Sequence, residues 1–200
     1  MGGLLRTDSS AGAAGGRRRA RQSVVTAAWI VCAAAGTAMA AGPEPQVTVR
    51  EDRGVYTVDA TFSVPQPVSH ALAVLTDYEG IPRFMPDVRT SLVLERGYGR
   101  AVIEQEAVAR LMMFSKRIHL VLEIHEESGI IRFRDRCGAS FARYEGSWTV
   151  TERDGHATLS YQLTAQPSFD VPEFLLKRLL KRDAMQMIGK LQAEIAARVR

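Results

Sequence analysis

From Val88 to Ala165 the chain runs through successive alternating apolar and polar segments, and it then closes with one long amphipathic stretch of helical periodicity. The alternating runs are Val88–Arg96, Arg100–Ala109, Phe114–Glu127, Ile130–Cys137, Phe141–Glu152 and Ala157–Ala165. Gly97 and Gly99, Ser128-Gly129, Gly138 and Asp154-Gly155 mark their turns, and only the stretch at Leu111-Met112-Met113 lacks a marker. Asp-Gly between alternating runs is a strong hairpin signal. Parallel strands need crossovers of about a dozen residues or more, so connections this short predict antiparallel pairing. A curved antiparallel sheet followed by one long helix can make a container whose walls are the sheet's concave face and the helix's apolar stripe.

Upstream, Val47–Arg50 and Val55–Val64 form a predicted hairpin around Asp52-Arg53-Gly54. Tyr56, Val58, Ala60, Phe62 and Val64 share one face of the second run, which Pro65 and Pro67 end. Val68, Ala71, Leu72 and Leu75 suggest a short helix, interrupted at Gly80 and Pro82 before Phe84-Met85-Pro86. In the closing helix Asp170 stands as N-cap, Pro172 falls in the first turn and Glu173 at the third helical position, a capping-box pattern. Phe169 and Phe174 are spaced as a hydrophobic staple. Val171, Phe174, Leu175, Leu179, Ala184, Met187, Ile188, Leu191 and Ile195 predict the buried face, with Lys177, Arg178, Lys181, Arg182 and Lys190 largely off it.

Residues 1–40 have a different character. Arg17, Arg18, Arg19 and Arg21 precede an apolar run from Val24 to Met39, and Ala38-Met39-Ala40 has the small-x-small form of a signal-peptidase site. The run is short and rich in Ala, Gly and Thr, whereas a membrane span wants about 20 predominantly apolar residues. The expected organisation is a secretory signal peptide over 1–40, a leader over 41–46 and one domain over 47–200, with a periplasmic or secreted location after cleavage near Ala40. The chain has 26 Lys and Arg against 22 Asp and Glu, but residues 1–40 hold five Arg and one Asp, leaving 21 of each sign beyond them. The expected mature domain is formally neutral, which removes the basic footprint that nucleic-acid binding requires. It retains a single cysteine, Cys137, so no internal disulfide framework is available. Cys137 follows the alternation of Ile131 and Phe133, which predicts a buried, inert thiol.

Catalytic motifs are absent: there is no nucleophile elbow, zinc-protease motif, phosphate loop or dinucleotide fingerprint. His119 and His125 share a predicted strand face six positions apart, about 20 Å at strand rise, too far to hold one metal. His70 and His156 sit in a short helix and a turn. No metal site and no cofactor are expected. Glu104 and Glu106 share a strand face that reads as solvated, and Arg132, Arg134 and Arg136 form a stripe for which cross-strand glutamates are the ordinary explanation. The apolar and aromatic residues Tyr78, Phe84, Met85, Met112, Met113, Phe114, Phe133, Phe141, Tyr144, Trp148 and Tyr161 fall in elements that would surround the helix. Taken singly each reads as core. Together, around one helix, they suit an adaptable apolar site.

Three segments carry a resemblance. Asp77-Tyr78-Glu79-Gly80-Ile81-Pro82-Arg83-Phe84-Met85-Pro86-Asp87-Val88 resembles the segment after the first strand of the START-like (SRPBCC) superfamily, most closely its polyketide cyclase/dehydrase and coenzyme Q-binding START-domain branch. Tyr144-Glu145-Gly146-Ser147-Trp148-Thr149-Val150 resembles that branch's Gly-x-Trp strand, and Val171-Pro172-Glu173-Phe174-Leu175 its entry into the C-terminal helix. The resemblance spans about residues 55–199 in matching order. It implies an α+β helix-grip fold: a curved antiparallel sheet wrapped around a long C-terminal helix, with two short helices after an early strand and an apolar cavity between. Members of that superfamily include enzymes that close aromatic rings and proteins that bind lipids or quinones without chemistry.

The expected function is an exported binder or carrier of an apolar small molecule: a lipid, isoprenoid, quinone or polyketide-like ligand. Phe84, Met85 and Pro86 are placed near the mouth, with Tyr78, Phe133, Tyr144, Trp148, Tyr161, Phe174 and Leu175 lining or backing the cavity. A monomer is expected, with peripheral membrane contact through Lys177, Arg178, Lys181 and Arg182. One alternative is an aromatase/cyclase- or dehydratase-type enzyme drawing on His119, Glu104, Glu106 and Tyr161. Another is an interaction protein with a vestigial pocket that uses the arginine stripe.

Overall fold

The structure, a computed structural model, describes residues 44–111 and 114–198. The expected signal peptide and the pair Met112-Met113 lie outside the described residues. Two-residue turns set the course of the sheet. Arg53-Gly54 joins β1 (Gln46–Asp52) to β2 (Val55–Val64), and Tyr98-Gly99 joins β3 (Val88–Gly97) to β4 (Arg100–Leu111). Ser128-Gly129 joins β5 (Phe114–Glu127) to β6 (Ile130–Asp135), and Asp154-Gly155 joins β7 (Phe141–Arg153) to β8 (His156–Pro167). At Arg53-Gly54 and Asp154-Gly155 both residues have positive φ (51° and 79°, 54° and 76°). That is the turn geometry whose twist matches paired strands, and glycine reaches it without a Cβ penalty.

The strands form one sheet in the order β1-β2-β8-β7-β6-β5-β4-β3, every neighbouring pair antiparallel. After β2 the chain crosses by α1 (Val68–Leu75), a 3-10 turn (Tyr78–Gly80) and α2 (Ile81–Phe84), and re-enters at the far edge as β3. It then returns strand by strand until β8 docks on β2. The fold is the helix-grip arrangement, closed by α3 (Glu173–Ala197). Strand periodicity of two divides the sheet into unlike faces. Val58, Phe62, Leu159, Tyr161, Leu163, Trp148, Ile131, Leu122, Ile124 and Ile103 turn inward into one buried cluster. On the outer face Arg132 pairs with Glu127 (2.9 Å), Arg134 with Glu145 (3.1 Å) and Arg136 with Glu95 (3.8 Å). The arginine stripe is thus met by glutamates.

Two local expectations are corrected. Strand β6 ends at Asp135 rather than at Cys137. Beyond it, side chains take over the work of the strand: the Val121 amide donates to Asp135 Oδ1 (2.9 Å) and the His119 amide to Ser140 Oγ (2.9 Å). The Gly138 amide also donates to Asp135, so the chain loops outward and Cys137 is exposed rather than buried. Helix α3 begins at Glu173, with Pro172 at the cap position and no side-chain cap bond. The capping box at Asp170 does not form, because Glu173 stands at the first helical position and its carboxylate accepts from Lys177 Nζ at 2.6 Å. Leu175 and Leu176 amides close the first turn on the Pro172 carbonyl (3.0 and 3.1 Å). The register shift leaves Phe174 71% exposed, so the expected staple is absent, and Leu176 is the buried residue there.

The other end of α3 is clasped. Arg198 donates to Asp77 Oδ2 at 2.7 Å and to Glu194 Oε1 at 2.8 Å, tying the helix terminus to the turn after α1. Burial alone would raise the Asp77 carboxyl, but Arg198, Arg83 and the Gly80 amide together hold it below its ordinary value.

Candidate ligand-binding site

Helix α3 lies against β1, β2, α1 and α2, and among the described residues no strand from β3 to β8 approaches its backbone comparably. The inner faces of the remaining strands therefore look across a gap, which side chains fill unevenly. Toward the C-terminal half of α3 the filling is complete: Ile188 and Ile195 are 0% exposed, as are Ala71 and Val74 of α1 and Leu159 of β8. Elsewhere the inward residues Ala107, Ala109, Phe133, Phe141 and Tyr144, with Phe169, Leu180 and Met187, pack on this core but stay only partly buried. These inward residues are thus less completely covered than the core beside α1.

The inner face carries a continuous aromatic wall, buried at Phe62, Trp148 and Tyr161 and partly accessible at Phe133, Tyr144, Phe141 and Phe169. Starting from Phe62, ring centroids follow at 6.3 Å to Trp148, 4.5 Å to Tyr161, 6.2 Å to Phe133, 6.0 Å to Tyr144, 4.9 Å to Phe141 and 6.2 Å to Phe169. Register puts them on one face: Trp148 lies opposite Tyr161 and Ile131, and Phe133 opposite Gly146. Gly146 makes that last pairing feasible, because a Cβ there would fall 2.6 Å from Phe133 Cζ and 2.1 Å from the Gln162 carbonyl oxygen. The phenols of Tyr144 and Tyr161 bring polarity to the wall, and burial raises the first above its ordinary value and the second well above it. On β4, away from the rings, Gln105 places an amide on the same inner face, donating to Ser91 Oγ at 3.1 Å.

The residues expected at the site separate into three groups. Phe133, Tyr144, Trp148 and Tyr161 come together on the wall. Phe84 and Met85 pack partly buried at the end of α2, with Pro86 exposed beside them, and Leu175 is partly buried in the first turn of α3. Tyr78 and Phe174 stand apart from the wall. Tyr78 is 3% exposed and donates its hydroxyl to Glu126 Oε1 at 2.6 Å, with the Arg96 guanidinium over its ring. Phe174 points to solvent. Phe169 was missed as a wall residue because its spacing to Phe174 suited a staple, while Leu176 carries no local signal separating it from Leu175.

The residues named for catalysis do not assemble. His119 lies across from Glu106 and 3.6 Å from Glu104, all three on the outer face, whereas Tyr161 is on the inner one. Among the described residues no three of His, Cys, Asp and Glu gather as a metal would require. Near α2, Asp87 pairs with Arg110, and Arg182 binds the Arg110 carbonyl (2.7 Å) and Asp183 (2.8 Å). Burial raises the Asp183 carboxyl despite Arg182. The four-cation face of α3 is likewise divided. Lys177 is taken by Glu173 and by Glu51 (3.8 Å) and Arg182 by Asp183, while Arg178 and Lys181 have no ion pair among the described residues. Within the described residues no helix is long and apolar enough to cross a membrane.

Residues 64–192 match the family described as polyketide cyclase / dehydrase and lipid transport. No curated protein is significantly similar to the chain in sequence. Among solved structures, a Thermus thermophilus protein is 22% identical with a TM-score of 0.62, over 72% of this chain and 99% of that one. The Zhui aromatase/cyclase from a Streptomyces species is 16% identical with a TM-score of 0.63, over 73% and 96%. A STAR-related lipid transfer protein from Xanthomonas axonopodis is 16% identical with a TM-score of 0.60, over 75% and 98%. At these identities the likeness is one of fold.

Proposed function

The chain belongs to the polyketide cyclase / dehydrase and lipid transport family, and from that premise we propose that it binds and carries an apolar small molecule between the sheet and α3. The observation that supports this best is the continuous run of rings from Trp148 to Phe169 on a concave face whose outer members stay partly accessible. Burial of apolar ligand surface, at about 25 cal/mol per Å² before ordering costs, supplies the driving force. The neutral phenols of Tyr144 and Tyr161 offer hydrogen bonds to a hydroxyl or carbonyl on a lipid, isoprenoid, quinone or polyketide-like ligand. Export through residues 1–40 would place this binding in the periplasm or outside the cell.

The test is native mass spectrometry and organic extraction of protein recovered from its producing cells, with fractionation and N-terminal sequencing of the mature chain. An apolar ligand that co-purifies, and is lost from Tyr144→Phe/Phe133→Ala, supports the reading. Recovery of ligand-free protein that also fails to bind lipid, quinone and polyphenol probes defeats it. The enzyme alternative keeps one wall residue, Tyr161, and turnover of a poly-β-ketone thioester mimic would restore it. Bilayer contact would now rest on exposed Phe174 and Met185 with Arg178 and Lys181, the cations worth about 1 kcal/mol each near an anionic surface. Co-flotation with anionic vesicles measures it.

A further inference from the structure

An antiparallel sheet of this kind has two terminal strands, and they differ in a way that bears on partners. Strand β3 is irregular, its register shifting between Val88 and Thr90 and again between Val93 and Glu95. Bulges of this kind blunt an edge against further pairing. Strand β1 pairs with β2 without a shift from Gln46 to Asp52, and it is the other end of the sheet. Among the described residues no strand covers it, and its outward backbone groups are a regular template for one more strand.

Beside this edge runs a groove of about 500 Å³, lined by Val47, Thr48 and Val49 and overhung by Lys177, Arg178 and Lys181 of α3. Val47 and Val49 give it an apolar floor, packed on the core but only partly buried. The strand's own cation, Arg50, is neutralised by Asp59 at 2.6 Å, and Lys177 by Glu173 and Glu51. Arg178 and Lys181, without ion pairs among the described residues, therefore set the sign of the groove.

We propose that the β1 edge and the cationic flank of α3 form a docking site for an extended acidic segment of another protein, added to the sheet as a further strand. The overhanging cations repel a basic segment and a second copy of the same flank, which guards the edge against self-association. They complement a strand with Asp or Glu at alternate positions, whose side chains on the α3 side reach Arg178 and Lys181 while main-chain bonds form to β1. Charge suits either an acidic strand or an anionic surface, and the regular β1 edge and the Val47/Val49 floor favour the strand: two cations bring about 2 kcal/mol to an anionic surface, whereas strand addition also gains backbone hydrogen bonds and apolar contact.

The probe is a short synthetic peptide alternating Glu and Val, read by fluorescence anisotropy on the full chain, with amide hydrogen exchange over residues 46–52. The expected result is binding that protects β1 amides, weakens about tenfold or more in Arg178→Glu/Lys181→Glu, and is lost when the peptide backbone is N-methylated. Circular dichroism of the double variant, altered only at exposed positions, checks that it folds. The proposal is overturned if the N-methylated peptide binds equally well, if charge reversal leaves affinity unchanged, or if the edge amides are already protected without peptide. Binding of anionic vesicles through Arg178 and Lys181, with no binding of the peptide, would overturn it in favour of a membrane surface.

Discussion

Gly146→Ala is the sharpest test of how the aromatic wall is built. The added Cβ would lie 2.1 Å from the Gln162 carbonyl oxygen and 2.6 Å from Phe133 Cζ. Both are far inside van der Waals contact, and the two neighbours differ in freedom. Gln162 belongs to the β7–β8 ladder, which is in register on either side of this point, so its carbonyl can yield little. The Phe133 ring can turn, and turning it disturbs its packing against Tyr144 and Tyr161. Overpacking of this kind costs about 1–3 kcal/mol, against a gain of about 0.4–1 kcal/mol from a less flexible unfolded chain. The net expectation is a loss of roughly 1.3 kcal/mol, and at about 2–4 °C per kcal/mol for a domain of this size Tm falls by some 3–5 °C. Urea titration should show a lower midpoint with unchanged m. On the proposed reading, affinity for an apolar probe should fall by more than the stability change accounts for, because the displaced ring disturbs the aromatic face the ligand would contact. In a Phe133→Leu background the cost of Gly146→Ala should shrink by at least about 0.5 kcal/mol. A Gly146→Ala protein within about 0.5 kcal/mol of the parent, with unchanged probe affinity, would refute the close-packed wall.

The corrected helix register predicts that Phe174→Ser changes stability by less than about 0.5 kcal/mol while Leu176→Ala costs about 2–5 kcal/mol; thermal denaturation of the pair distinguishes this from a stapled helix, which would reverse the order. Tyr78, Tyr144 and Tyr161 are all raised, chiefly by burial. Their contribution to stability is thus complete below about pH 10, where unfolded phenols ionise, and declines above it. Urea midpoints should drop between about pH 9 and 11, and Tyr144→Phe/Tyr161→Phe should flatten that limb. Asp77 has the opposite sense: held low by Arg198 and Arg83 against burial, it stabilises above the ordinary carboxylate range and its contribution is lost as pH falls. Asp77→Asn should leave a shallower acid limb below about pH 4, seen by circular dichroism.

Alternation and turn chemistry made the strands readable, since both are local: x-Gly turns and period-two burial place every strand close to where the sequence suggests. What escaped the sequence was decided by partners far along the chain. Cys137 follows the alternation of β6, yet Asp135 before it and Ser140 after it bind the β5 amides, and the chain between them loops outward. Tyr78 has the composition of a wall residue, but its hydroxyl is committed to Glu126, forty-eight positions away. Asp170 to Glu173 has the pattern of a capping box, but Glu173 is engaged by Lys177, which also reaches Glu51 of β1. The face on which Glu104, Glu106 and His119 lie depends on cross-strand register, which pattern alone leaves open.

The uneven filling beneath α3 has a physical consequence for any ligand. The C-terminal half of the helix spends its apolar stripe, Ile188, Leu191 and Ile195, on a closed core with α1 and β2, and the Arg198–Asp77 clasp fixes that end. The N-terminal half has a smaller cluster, Leu176 and Leu179 with Tyr56, bordered by Ala109, Val171 and Leu180. Small residues on β4 facing partly buried ones on the helix give this half fewer contacts to lose when it shifts. On the proposed reading, a ligand enters by displacing the weakly packed half while the clasped half keeps the sheet and helix in register. The polar groups it meets then limit its chemistry. Tyr144 and Tyr161 are neutral at physiological pH, more firmly so for being buried, so they suit a hydroxyl or carbonyl, and an ionised headgroup placed against them would face the full cost of desolvation without a countercharge. The expected ligand is therefore one whose buried end is apolar with at most neutral polar atoms, and any charged end it carries must remain outside the wall.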